Sequence, residues 1–375
     1  MSNLIKPGST IGIIGGGQLG RMLAFSAKEK GYRIAVLDPT ADCPTAQVAD
    51  HHVQAAYDDV NALKKLAEMS DVLTYEFENV DAEAIKEVNK QVAIAIPQGT
   101  DLLLNTQNRL SEKDFLKKAG IPLAAYAKII NGDDLKEAVE TIGYPCVLKT
   151  IQGGYDGKGQ VVLKSASDLT EAERLLENGT CVLEEWVSFE KELSIMVARN
   201  ASGDTVTLPV SENIHTNNIL LKSIVPARAS DETLKEARTI AETIAEEMAL
   251  VGVLGVELFL TKTGDLYANE LAPRPHNSGH YSIEACSHSQ FDLHIKAVCG
   301  YPLPEVELLK PAVMVNILGE HLEAALKLNE TQPYWHVHDY GKTGVKEGRK
   351  MGHVTILTDD RQETLKAIDE TKIWD

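Results

Sequence analysis

The stretch GIIGGGQLGRM, residues 12–22, sets the reading of the first hundred residues. It follows the run TIGII and carries Gly15, Gly17 and Gly20 in the spacing G-x-G-x-x-G. The next apolar run, YRIAVLD, closes on Asp38. Together these match the dinucleotide-binding fingerprint of an NAD-dependent oxidoreductase. The physics is less particular. A strand that ends in a glycine turn and opens a helix offers amide N–H groups and a helix dipole to any anion.

Working outward, apolar runs alternate with helical patterns. TIGII and RIAVL read as parallel strands buried on both faces. Between them, Leu19, Met22, Leu23 and Ala27 give a helix one apolar face, and Gly31 stands at its C-cap position. A short strand is expected at 53–56, helices at 58–69 and 81–90, and a strand at 71–79. Alternation with short connections predicts a doubly wound parallel sheet, Rossmann-like. From about Gln107 the texture changes. A helix over 108–120 is followed by a strand, a helix over 133–142 and a hairpin around the loop of LKTIQGGYDGKGQ. A helix and the strand TCVLEEWV come next, a compact α+β unit. ELSIMVARN and TVTLPVSE read as an antiparallel pair. VGVLGVELFL and DLYANELAPR read as a hairpin, after a long acidic helix. The tail holds strands at PAVMVNILG and HVTILTD and a last helix. The expected divisions are residues 1–107, 108–299 with a lid at about 122–188, and 300–375.

The chain has 375 residues, 43% hydrophobic and 25% charged, with a net charge of −18. That composition fits a globular protein. An acidic chain argues against a nucleic-acid partner, because phosphate neutralisation needs basic surface. No apolar run approaches the ~18 residues of a membrane span. Five scattered cysteines without C-x-x-C suit a reducing, cytoplasmic setting.

Chemistry concentrates in three places. Gly153, Gly154, Gly157 and Gly159 crowd one hairpin loop that carries Lys158 and follows Lys149. So many glycines expose backbone amides to phosphates, although the loop lacks the P-loop pattern. Glu184 and Glu185 end a strand, continue into Trp186 and Val187, and suit an adenine edge; Glu192 suits the ribose hydroxyls. Glu257 lies between apolar neighbours, with Asn269 and Glu270 on the facing strand. A carboxylate there is costly unless paired or metal-bound. Two carboxylates and an amide oxygen fit Mg²⁺, with nucleotide phosphates completing the shell.

These motifs, K…GGYDGKGQ, EEWV with a downstream Glu, and VE…NE-x-APRPHNSGH, resemble the ATP-grasp superfamily. GGGQLGRM, TYEFENV, PRPHNSGHYSIEAC and GRKMGH narrow the resemblance to the N5-carboxyaminoimidazole ribonucleotide synthetases. The resemblance covers nearly the whole chain and implies an ATP-grasp fold with a C-terminal β-rich extension. It implies a ligase that uses ATP, Mg²⁺ and bicarbonate to carboxylate 5-aminoimidazole ribonucleotide in purine biosynthesis, as a homodimer. For ATP it implies Arg109, Lys149, Gly154, Tyr155, Asp156, Gly157, Lys158, Gly159 and Gln160. Glu184, Glu185, Trp186, Val187, Glu192, His215, Asn269 and Glu270 complete that set, with Glu257 and Glu270 on the metal. For the ribonucleotide it implies Gln18, Leu19, Glu76, Arg274, Lys342 and Arg349. Arg274, Lys342, Arg349, Tyr155 and Asp156 carry the chemistry. In this reading Asp38 is a turn residue before Pro39, and Arg274, fixed between two prolines, faces bicarbonate.

Three alternatives remain. A biotin carboxylase or formate-using transformylase would share the acyl-phosphate logic. An oxidoreductase would use GGGQLG and Asp38 but leave Lys149 and the glutamate pair unexplained. A nucleotide sensor would not need both Arg274 and Lys342.

Overall fold

The computed structural model describes residues 4–153 and 159–374. Three sheets follow one another along the chain. The first joins β1 (Thr10–Ile14), β2 (Arg33–Leu37), β3 (His51–Val53) and β4 (Val72–Tyr75) in the order β3-β2-β1-β4, all parallel. Its strands are apolar on both faces because helices cover both. Helix Gln18–Glu29 packs on one face; Val60–Glu68 and Ala82–Gln91 cover the other. The doubly wound reading is therefore correct, with β4 ending at Tyr75 rather than running to residue 79 and β3 ending at Val53.

The apolar stripe of Leu19, Met22, Leu23 and Ala27 packs against Phe291, Ile295 and Val298 of helix Gln290–Val298. An ion pair from Lys30 to Asp292 and a hydrogen bond from Ser26 Oγ to Asp292 (2.8 Å) close the same seam. The first helix thus ties the parallel sheet to the rest of the chain.

The second sheet, antiparallel, has the order β5-β8-β6-β7, with β5 Tyr126–Ile129, β6 Cys146–Thr150, β7 Gln160–Leu163 and β8 Cys181–Glu185. Helices Gly132–Ile142 and Leu169–Leu176 cover it, as expected for the compact α+β unit.

The third sheet has nine strands: β9 (Phe189–Arg199), β10 (Thr205–Thr207), β11 (Ser211–Thr216), β12 (Ile219–Val225), β13 (Gly252–Thr261), β14 (Leu266–Ala272), β15 (Ala312–Leu318), β16 (Trp335–Asp339) and β17 (Lys350–Leu357). The order is β14-β13-β9-β11-β12-β15-β17-β16, with β10 beside β9. TVTLPVSE is not one strand: β10 and β11 pair successive parts of β9, and Pro209, which has no N–H to donate, lies in the break. The C-terminal strands continue the same sheet through the β12–β15 pairing. Helix Asp231–Glu247 lays Ala237, Ile240, Ala241 and Ile244 on the core, and its acidic face points outward.

Candidate active site

The facing carboxylates expected to hold a metal are built by a register fault. Glu257 on β13 faces Glu270 on β14, and the next pairing is Leu258 with Ala268. Asn269 is the extra residue of a bulge, so Asn269 and Glu270 together oppose Glu257. Sequence spacing alone would send Asn269 to the opposite face. The Glu257 carboxyl is pushed up to about 7, first by burial and then by Glu270 opposite it. Two facing carboxylates repel each other, and a divalent ion relieves that repulsion. His276 Nε2 lies 3.4 Å from Glu257 Oε1, and the charge of Lys350 reaches Glu257, His215 and His276. Sequence reading did not single out His276, and marked Lys350 only as one of a local basic run with Lys342, Lys346 and Arg349.

Glu192 and His215 meet, with Nδ1 and Oε2 3.2 Å apart. Burial opposes the imidazolium, but Glu192 outweighs it and raises the His215 pKa. Their adjacency follows from β9 and β11 being neighbours, an arrangement invisible in the sequence.

Lys149 on β6 donates to Glu184 Oε2 at 3.1 Å, and Lys113 reaches the same oxygen at 3.0 Å. Burial pushes the Glu184 carboxyl up, yet the two ammoniums win and hold it below its usual range. Glu184 therefore organises two lysines, a task beyond the adenine contact expected of it. Lys113 belongs to NRLSEKDFLKK, the helix expected at 108–120, and its side chain is 4% exposed. Arg109 donates to the Thr150 carbonyl at 2.8 Å, beside the glycine loop. Glu185 N–H donates to Ala125 O and Trp186 N–H to Pro145 O, so these two amides already have partners. Val187 is part-buried, between β8 and β9. Gly159 closes the hairpin by accepting from Thr150 N–H, and Gln160 pairs with Lys149. Gly154, Tyr155, Asp156, Gly157 and Lys158, expected at the ATP phosphates, lie outside the described residues.

At the other end, the glycine turn is already filled by the chain's own carboxylates. Gly17 and Gly20 amides donate to Glu76 Oε1 and Oε2 at 2.6 and 2.7 Å. Gly16 N–H donates to Asp38, which also accepts from Tyr57 Oη at 2.6 Å. The expectation of a wholly free amide nest is corrected: part of it is neutralised from within. Asp38 is more than a turn residue, since its carboxylate holds the glycine turn. Gly15 has φ +105°, and a Cβ there would stand 2.5 Å from Glu76 Cγ, so the turn needs a glycine. Burial raises the Glu76 pKa; the Gly20 and Gly17 amides and Arg274 partly counter it. Gln18 and Leu19 open the helix, where amides have no intrahelical acceptor, and the Leu19 side chain is core.

A cavity of about 340 Å³ gathers Gly17, Glu76, Tyr57, Lys342 and Arg349. Lys342 Nζ donates to Lys350 O at 2.7 Å, and burial and then Arg349 lower its pKa to about 8. Arg349 is held by the carbonyls of Thr343 and Gly344.

Arg274 joins the two ends. It makes a two-pronged contact with Glu78, through Nε and through Nη2 at 3.0 Å. The proline-fixed Arg expected from the sequence is thus aimed chiefly by an acid that was quoted in TYEFENV but given no role. Burial opposes its charge; Glu78, then Glu270, then Glu76 raise its pKa. Its charge therefore interacts with Glu270 as well as with Glu76 at the glycine turn.

Three family models match along the chain: the ribonucleotide synthetase preATP-grasp domain at residues 8–105, the ATP-grasp domain at 114–291 and the phosphoribosylaminoimidazole carboxylase C-terminal domain at 312–367. The N5-carboxyaminoimidazole ribonucleotide synthase of Bacillus subtilis is 50% identical over 371 residues, covering 99% of this chain and 97% of its own. A crystal structure of N5-carboxyaminoimidazole synthetase from Staphylococcus aureus complexed with ADP is 47% identical, with a TM-score of 0.94 and 98% of each chain covered. The Aspergillus clavatus synthase, crystallised with ADP and 5-aminoimidazole ribonucleotide, is 32% identical with a TM-score of 0.89, covering 99% of this chain and 98% of its own. The oxidoreductase reading is set aside by this similarity, and the occupied glycine turn agrees. The chain belongs to the N5-carboxyaminoimidazole ribonucleotide synthases, ligases with the ATP-grasp fold.

Proposed function

We propose that this cleft carries out, with the residues described, the ATP-dependent carboxylation of 5-aminoimidazole ribonucleotide by bicarbonate. The products are N5-carboxyaminoimidazole ribonucleotide, ADP and phosphate, in purine biosynthesis. The observation that carries the assignment is the position of Arg274. It follows β14, the strand of Glu270, and grips Glu78, two residues past Glu76 at the cavity with Lys342 and Arg349. A phosphoryl donor and an anionic acceptor bound at the two ends would meet beside it.

Lys149 and the glycine loop hold the ATP phosphates, with Glu184 aiming the Lys149 side chain. Glu257 and Glu270, with Asn269 on the same face, would hold Mg²⁺, which when bound offsets charge on the phosphates. Arg274 binds bicarbonate and orients one of its oxygens toward the γ-phosphorus. That oxygen forms the new P–O bond as the bond to ADP breaks, giving carboxyphosphate. The exocyclic amine then attacks the carboxyl carbon and loses a proton. The C–O bond to phosphorus breaks, and phosphate leaves with the bridging oxygen. Fixed cations are the main resource for such a step, because the transferring phosphoryl is where charge must be stabilised. Lys342 and Arg349 clamp the ribonucleotide phosphate, Arg as a fork and Lys as a point charge. The amides of Gln18 and Leu19 and the Glu76 carboxylate border the same ligand. The family pattern also implies Tyr155 and Asp156 at this ligand. The reading includes a homodimer in a reducing cytoplasm. All five cysteines are buried and unpaired, and no helix among the described residues is long and apolar enough to cross a membrane.

The test is ADP release with ATP, Mg²⁺ and bicarbonate, with and without the ribonucleotide. Strong dependence on the ribonucleotide supports the assignment; release indifferent to it sinks the substrate and turns attention to other carboxyl acceptors.

The Lys342 ammonium, at about 8, predicts a pH effect. Below that value the lysine is a cation and the clamp is complete; above it the clamp loses one charge. The KM for the ribonucleotide should therefore rise between pH 7 and 9 in the wild type. In Lys342→Met it should be high throughout, without that inflection. An unchanged inflection in the variant would remove Lys342 from the clamp.

A further inference from the structure

A buried polar file runs behind the metal pair. Ser223 Oγ donates to Asn213 Oδ1 (2.9 Å), Asn213 Nδ2 to Ser194 Oγ (2.8 Å), and Ser194 Oγ to Ser278 Oγ (2.6 Å). Ser278 Oγ lies 2.8 Å from His276 Nδ1. Ser194, Ser223 and Ser278 are at most 2% exposed and Asn213 is 6%. Such a file in the middle of a sheet is costly to desolvate, and apolar side chains would fill β9, β11 and β12 more cheaply.

The direction of the file follows from proton counting. His276 caps the turn Asn277–Gly279, and its Nδ1 accepts from the Ser278 backbone N–H. A nitrogen facing an N–H must present its lone pair, so the ring proton sits on Nε2. Ser278 has one hydroxyl proton, and it goes to the same Nδ1 lone pair at 2.8 Å, the backbone N–H at 3.4 Å being the longer branch of a shared contact. Ser278 Oγ must then accept, which it does from Ser194. Ser194 spends its one proton there and accepts from the Asn213 amide. Ser211 Oγ, 2.8 Å from Ser194 Oγ, fills the remaining site. With the Asn213 amide turned Nδ2 toward Ser194 and Oδ1 toward Ser223, each hydroxyl between Asn213 and His276 has one role left.

We infer that Asn213, Ser194 and Ser278 are positioning residues that hold His276 as the Nε2–H tautomer, presenting a hydrogen-bond donor to an anionic oxygen bound beside Glu257. Nε2 is the nitrogen that faces Glu257 Oε1, and Arg274 and Lys350 give the same spot a positive field. The opposite tautomer would turn a lone pair toward that anion. The ring also has reserved space: a Cβ on Gly255 of β13 would stand 2.9 Å from His276 Cβ. In the reaction assigned above, on which this naming of the ligand rests, the oxygen belongs to bicarbonate or to the carboxyl of carboxyphosphate.

The experiment is ¹⁵N NMR of the full chain labelled in histidine, free of ligands, with His276→Gln to assign the ring. The account predicts a protonated Nε2 and an unprotonated Nδ1. Ser194→Ala and Ser278→Ala should shift His276 toward a tautomer mixture. They should also raise the bicarbonate KM about 10-fold with the ATP KM unchanged, the usual scale for losing a histidine's outer partner. Ser278→Thr, which keeps the hydroxyl, should restore both. A native His276 protonated on Nδ1 overturns the inference, whether or not the variants fold. So do alanine variants that leave both tautomer and bicarbonate KM unmoved. The spectrum is independent of turnover, so absence of ribonucleotide-dependent ADP release would sink the functional assignment and leave the tautomer result standing.

Discussion

Glu270→Gln should lower ATP turnover by about 10³-fold, the scale of losing a principal charge stabiliser, while leaving the ligand-free protein no less stable. The side chain keeps its size and place on the bulge, so what is lost is one negative charge of the pair that would hold Mg²⁺. Raising the Mg²⁺ concentration should recover part of the activity. Stability should move the other way. In the native protein the Glu257 carboxyl sits near 7, against an ordinary 4.5, through burial and Glu270 opposite. The folded state therefore binds its proton more tightly than the unfolded state does. The sign follows: stability conferred below pH 4.5 is lost as pH rises toward 7. Removing the Glu270 charge reduces that loss. Thermal unfolding from pH 4.5 to 7 should show a shallower decline in the variant. A variant that keeps wild-type turnover, or whose decline is steeper, contradicts the assignment.

Arg274→Lys and Arg274→Ala should each cost about 10²- to 10³-fold in activity. Lysine fails because the site uses a planar fork, which Glu78 grips with two prongs, and an ammonium cannot copy it. The alanine variant also leaves Glu78 without its cation. The Glu78 side chain is 32% exposed, which softens the penalty to about 1–2 kcal/mol rather than that of a fully buried charge. Adding Glu78→Gln to Arg274→Ala should recover stability but no activity. Denaturant midpoints and turnover on the four corners of that cycle check both parts. Recovery of activity in the double variant would mean that Arg274 acts only by neutralising Glu78.

The parallel sheet was legible because its strands are apolar on both faces and its helix carries one clean stripe. Glu257 and Glu270 were legible for the opposite reason, as charges in apolar strands. β11 and β16 were not. SENIHT places Ser211, Glu212 and Asn213 indoors, and WHVHD alternates its histidines with Val337 too briefly to stand out. Lys113 and Glu112 carry no pattern that sets them apart from the other charges of their helix, yet they are 3% exposed. Only the packing of that helix against the sheets reveals them. Glu78 lay inside a quoted motif, but its partner is 196 residues away. His276 was hidden by its neighbours in PRPHNSGH, since tautomer and aim depend on strands the sequence does not place together.

The most direct test of the central claim follows the oxygen. With ¹⁸O-bicarbonate, ATP, Mg²⁺ and 5-aminoimidazole ribonucleotide, one bicarbonate oxygen should appear in the released phosphate. The ribonucleotide should emerge with one added carboxyl group. Phosphate that carries no label from bicarbonate would contradict carboxyphosphate, and with it the placement of both reactants beside Arg274.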